Sequence, residues 1–65
     1  MTNGNSLAQN CVLAHDIARL SDNILSDLKA GSKAAMLRIK HDAKKIGIKS
    51  QVLIRNIRTE SGLYL

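Results

Sequence analysis

The sequence predicts an all-α protein: a long N-terminal amphipathic helix followed by two shorter helices, assembled as a helical oligomer. Three observations predict it. The 65 residues contain no proline, so nothing in the chain forbids long helices. Apolar residues recur at alternating three- and four-residue steps over most of the length, which is the period of a helix face. Finally, Ala, Leu, Ile, Lys and Arg dominate a chain with one Tyr and neither Trp nor Phe. That composition favours helix and requires an aliphatic core.

Residues 1–5 read as a polar tail. The first helix is expected over 6–30, with Ser6 and Gln9 at the spacing of a capping box. Leu13, Ile17, Leu20 and Ile24 form its main apolar row, and Leu7, Cys11, Ala14, Ala18, Leu25 and Leu28 form a flanking one. A domain of this size buries only about 60% of the surface its unfolded chain exposes. Cys11 is the only cysteine, so no internal disulfide compensates, and self-association is the remaining source of buried surface. Leu13, Ile17, Leu20, Ile24 and Leu28 are therefore the expected oligomer interface, in a homodimer or tetramer. The Ser21–Asn23 stretch is a place for this helix to bend, because such side chains compete for backbone hydrogen bonds.

Gly31 and Ser32 have the chemistry of a helix stop followed by a helix start. A second helix is expected over about 33–46, with a narrow seam of Met36, Ile39, Ala43 and Ile46. Gly47 is expected to end it, Ile48 to tuck in behind the turn, and Ser50 to cap a third helix of about 51–60. There Leu53 and Ile57 face inward, while Gln51, Arg55 and Arg58 share another face. Leu63, Tyr64 and Leu65 make an apolar end suited to packing back or to a protein partner. The chain thus reads as a single helical domain: a flexible tail (1–5), an assembly helix (6–30) and a basic part (33–60).

Charge divides the chain. Of the net +5, residues 1–28 carry −2 and residues 29–58 carry +8, with Glu60 supplying the remaining −1. One-sided charge of this kind repels itself unless a polyanion relieves it. Duplex DNA is the partner this asymmetry suggests.

Other chemistries find little support. There is no phosphate-binding glycine loop, no paired carboxylate spacing and no nucleophile–base frame, so the chain does not read as an enzyme and no cofactor is expected. His15 and Asp16 are adjacent, and adjacent helical residues point about 100° apart rather than at each other. Cys11 sits on an apolar row and reads as a buried, inert thiol. His15, His41 and Cys11 lack metal-ligand spacing, so no metal site is expected. No stretch approaches the roughly 20 apolar residues of a membrane span, and residues 1–10 lack the pattern of a secretory leader. A reduced, cytoplasmic, nucleoid-associated setting with no membrane partner is expected.

The basic half is the informative part. In Ala43-Lys-Lys-Ile-Gly-Ile-Lys-Ser-Gln-Val-Leu-Ile-Arg-Asn-Ile57, a glycine follows the alanine by four residues, with an aliphatic next and Leu53 five beyond that. This is helix-turn-helix spacing: alanine for close helix approach, glycine for the turn, aliphatics to bridge the helices. On that reading Gln51 and Arg55 reach base edges, while Lys33, Lys40, Lys44, Lys45, Lys49 and Arg58 hold phosphates.

The stretch from Ile39 to Arg58 resembles the conserved part of GapR-like nucleoid-associated proteins, through Asp42, Ala43, Lys44, Gly47, Ile48, Leu53, Arg55, Ile57 and Arg58. The resemblance implies a small helical DNA binder whose upstream helix mediates dimer and tetramer assembly. The chain departs from that pattern at Gly31, which interrupts the helix, and at Lys49, where an acid is usual. The segment from Ala43 to Ile57 also resembles the two-helix part of ribbon-helix-helix repressors, although residues 24–30 make a poor strand. Both resemblances imply a homodimer on duplex DNA, acting in transcription regulation or nucleoid organisation. A small protein-binding inhibitor or adaptor of phage type, docking on an acidic surface, is the reading from another class.

Overall fold

The structure, a computed structural model, describes residues 4–61, with side chains from 7 to 59. Within them the chain is all-helical: α1 is Gly4–Ala30 and α2 is Lys33–Ser61. The two pack antiparallel as a helical hairpin. The expected α1 is present, but it begins at Gly4, so Ser6 lies inside the helix rather than at its cap. α1 runs through Ser21–Asn23 without a break. The Leu63–Leu65 end lies outside the described residues.

The turn is built as its residues dictate. Gly31 takes φ +67°, the only positive φ among the described residues. Its N–H donates to the Asp27 carbonyl at 3.1 Å, the bond that closes a helix on a left-handed residue. Ser32 starts α2 at once. Its carbonyl accepts from the Met36 N–H at 3.0 Å, and its Oγ accepts from the Ala35 N–H at 3.0 Å, a complete N-cap. Replacing Gly31 by Ala leaves the added Cβ free of neighbours yet still costs about 1–2 kcal/mol in the left-handed region. Ser32→Ala costs about 1 kcal/mol. Thermal unfolding by circular dichroism is expected to show both as a Tm lowered by roughly 4–8 °C per kcal/mol.

The expected third helix does not form. α2 runs without a break through Gly47 and Ser50. An interior glycine costs a helix only about 1 kcal/mol relative to alanine, and here packing on both sides of it outweighs that. Ile39, Ile46 and Leu53, seven residues apart, all lie half-buried and hold α2 along α1 past the glycine. Gly47 keeps negative φ, Ser50 has no helix to cap, and the helix-turn-helix corner is absent. Ile48, expected behind the turn, is instead 59% exposed.

Interhelical contacts fix one register. Arg38 meets Asp27, Lys49 meets Asp16, and Asn56 meets Gln9 and Asn10. In that register Leu13 falls opposite Leu53, Leu20 opposite Ile46, and Ile24 opposite Asp42. The side of α1 turned toward α2 is Asn10, Leu13, Ile17, Leu20, Ile24 and Asp27. The side of α2 turned toward α1 is Ala35, Ile39, Asp42, Ile46, Lys49, Leu53 and Asn56. Both repeat at alternating three- and four-residue steps, the seam of a coiled coil.

The α2 seam differs from the expected one. Ile39 and Ile46 belong to it, but Met36, Ala43 and Ile57 do not: all three are exposed. The predicted oligomer row is also reassigned. Leu13, Ile17, Leu20 and Ile24 are covered by α2 of the same chain, and only Leu28 stays exposed. The hairpin measures 48 × 23 × 12 Å, one helix thick. That thickness explains why only Leu20 and Ala35 are buried among the described residues.

Candidate nucleic-acid interface

The basic residues of α2 are sorted by the hairpin into two sets. Arg38 and Lys49 are used internally. The Arg38 guanidinium donates to Asp27 at 3.0 Å through Nη2 and at 3.3 Å through Nε. That hydrogen bond, then the charges of Asp27 and Asp42, pushes the Arg38 pKa above its ordinary value. Lys49 Nζ lies 3.2 Å from Asp16, with a side chain only 32% exposed. Asp16 also takes Arg19 at 2.8 Å. Lys49, expected on phosphate, is thus part of what holds the helices together.

The second set faces solvent. Lys44, Gln51 and Arg58 are seven residues apart and line up along the edge of α2 turned away from α1. His41, Ile48 and Arg55 form the adjoining line, and Lys45 lies beyond it, in a hollow shared with Ile48, Lys49 and, from α1, Asp16, Arg19 and Leu20; His41, Lys45, Ile48 and Arg55 are all exposed. No ion pair or hydrogen bond engages the side chains of Lys44, Lys45, Arg55 or Arg58 among the described residues; the Arg55 backbone carbonyl accepts from the Thr59 hydroxyl at 2.9 Å. Lys44 and Arg58 stand about 21 Å apart along the axis at 1.5 Å per residue. Gln51, Ile54, Arg55, Arg58 and Thr59 line an open hollow near the far end of α2. Lys40 is exposed on a neighbouring face, and Lys33 is exposed at the turn, about 38 Å from Arg58 by the same rise. The structure therefore gathers Lys44, Gln51, Arg55 and Arg58 on one edge, sets Lys45 at its border toward Asp16 and Arg19 of α1, leaves Lys40 beside it and sets Lys33 apart.

Two features differ from the sequence reading. With no helix start at Ser50, no free backbone amides are presented there to a phosphate. Ile48 stands exposed at the border of the cationic edge, lining a hollow with Lys45 and with Asp16, Arg19 and Leu20 of α1, rather than inside the protein. A continuous seven-residue repeat through Gly47, counted from Ile39 to Leu53, is the sequence signal that places it there.

Elsewhere the chemistry is sparse. Cys11, expected to be buried, is exposed. Among the described residues no group of His, Cys, Asp or Glu side chains is arranged to hold a metal ion, and no helix is long and apolar enough to cross a membrane. The class these features define is a two-helix antiparallel hairpin with a cationic outer edge. Compared with known protein families, curated proteins and solved structures, the chain matches none of them.

Proposed function

We propose that this chain binds duplex DNA along the outer edge of α2, as a regulator or nucleoid-type protein. The observation that carries the reading is the unneutralised row of Lys44, Lys45, Arg55 and Arg58. These are cations over about 21 Å of helix, none of them ion-paired among the described residues, and Asp16, the acid near Lys45, is already engaged by Arg19 and Lys49. DNA presents one phosphate per 3.4 Å of each strand, so such a row meets several phosphates at once. A single helix fits the major groove, and a continuous basic helix is one of the ways groove contact is made.

Within that row the roles differ by chemistry. Arg55 forks to two acceptors, and Gln51 beside it carries both donor and acceptor, so these are the groups suited to base edges. Lys44, Lys45 and Arg58 are phosphate contacts, with Lys40 at the margin. Ile48, between them, is suited to a sugar or a thymine methyl. With so few base-reading groups, sequence preference is modest.

The test is a salt titration of affinity for random duplex DNA. Log affinity is expected to fall linearly with log salt, with a slope of about −0.9 per phosphate neutralised. Lys44→Ala is expected to lower that slope by about one unit. Lys49→Ala is expected to change it much less, because Asp16 already holds that ammonium. No measurable DNA binding at low salt would sink the proposal and leave an acidic protein surface as the partner for the same edge.

A further inference from the structure

We infer that the broad face of the hairpin opposite its interhelical polar contacts docks a second copy of this chain, giving a four-helix bundle of two hairpins. This inference does not rest on DNA binding, although the face adjoins the cationic edge: Ile54 lines the same hollow as Gln51, Arg55 and Arg58.

The polar ties all cross one broad side: Arg38 to Asp27, Lys49 to Asp16, and Asn56 to Gln9. The other broad side has a different composition. Its ends carry Leu25, Leu28 and Met36 near the turn, and Leu7 and Ile54 at the far end, all exposed. Its middle is small: Ala14, Ala18 and Ser21 on α1, Ala43, Gly47 and Ser50 on α2. Among the described residues it has no acidic side chain, and Lys29, Lys33, Lys40 and Arg58 lie along its borders.

The apolar arc of α2 extends beyond the seam with α1 onto this face. The seam side of α2 alternates Ile39, Ile46 and Leu53 with Asp42, Lys49 and Asn56, so α1 covers only one border of the arc. Gly47 adds a second observation. It weakens α2, and a side chain there would meet nothing within 4 Å in the hairpin. The hairpin itself has no need of a glycine at this point, whereas a neighbouring helix crossing closely does.

The occupant is a second copy for two reasons. The broad side of the hairpin spans 48 × 23 Å, room enough for the roughly 800 Å² per partner of a stable interface, and a layer one helix thick acquires a core only by stacking on another. It is also self-complementary. The register sets Ala18 level with Gly47, and from that level both helices run from small to large in both directions. A half-turn about it returns the pattern to itself, as an isologous dimer requires.

Sedimentation of the full chain across the micromolar range is expected to give twice the 7.1 kDa chain mass. Ala18→Glu, exposed in the hairpin and compatible with helix, is expected to return it to one chain mass. Asn23→Glu, exposed on the opposite side, is expected to leave the dimer intact. Should Ala18→Glu fail to fold, alkylation of the native Cys11 decides. That thiol is exposed in the hairpin and lies on the proposed face, so its iodoacetamide rate is expected to fall in step with the fraction of dimer. A chain mass of one at every concentration overturns the inference. So does a dimer in which Cys11 stays freely alkylated.

Discussion

Leu20→Asp is expected to abolish the hairpin, read as loss of the helical circular dichroism signal. Leu20 is the only large apolar side chain that is buried among the described residues, and it lies across from Ile46. Removing a buried leucine costs about 2–5 kcal/mol through lost transfer and a residual cavity. A carboxylate put in its place adds the cost of desolvating a charge, several kcal/mol more unless it finds a partner. A single core of this size seldom supplies more than about 3–5 kcal/mol in total. Leu20→Ala is expected to fall between wild type and Leu20→Asp. Leu37→Asp is the control: Leu37 is 58% exposed, so its replacement leaves helix content near wild type. A folded Leu20→Asp variant with an unchanged melting temperature would refute this assignment of the core.

The second large effect belongs to the outer edge of α2. The Arg55→Ala, Arg58→Ala double variant is expected to weaken duplex DNA binding by roughly 30-fold or more in fluorescence anisotropy, taking at least about 1 kcal/mol per arginine. The salt slope is expected to fall by about two units, one for each phosphate released. Helix content should not change, because both side chains are exposed and neither takes part in the interhelical contacts. The arginines matter through reach. They lie on adjoining lines one turn apart, so one deep contact and one phosphate contact fit together. Unchanged affinity in a folded double variant would transfer the function of this edge to a protein partner.

Leu20 and the arginine pair also separate what was legible in the residues from what was not. Helicity, the extent of α1, the stop and start at Gly31 and Ser32, and the cationic second half are all local properties. Each follows from a period, a cap or a charge count within a few residues. The row Leu13, Ile17, Leu20 and Ile24 was legible as a buried face as well. Its partner was not, because burial against the same chain and burial against another copy demand the same spacing. Only the two-residue turn, bringing α2 back along α1, decides between them.

Gly47 shows the same limit from the other side. Alanine, glycine and an aliphatic at that spacing suit a helix-turn-helix corner and an uninterrupted helix equally. A glycine costs a helix about 1 kcal/mol, small enough for either outcome. By itself the sequence determined that this protein is helical, breaks at Gly31 and concentrates its positive charge after that break. The tertiary structure decided that α2 is continuous and that Arg38 and Lys49 belong to the fold. It also turned Lys44, Arg55 and Arg58 outward, together with Ile48. The physical reason is register: contacts between distant residues settle which border of each apolar stripe is covered, and every side chain on the helix turns with that choice.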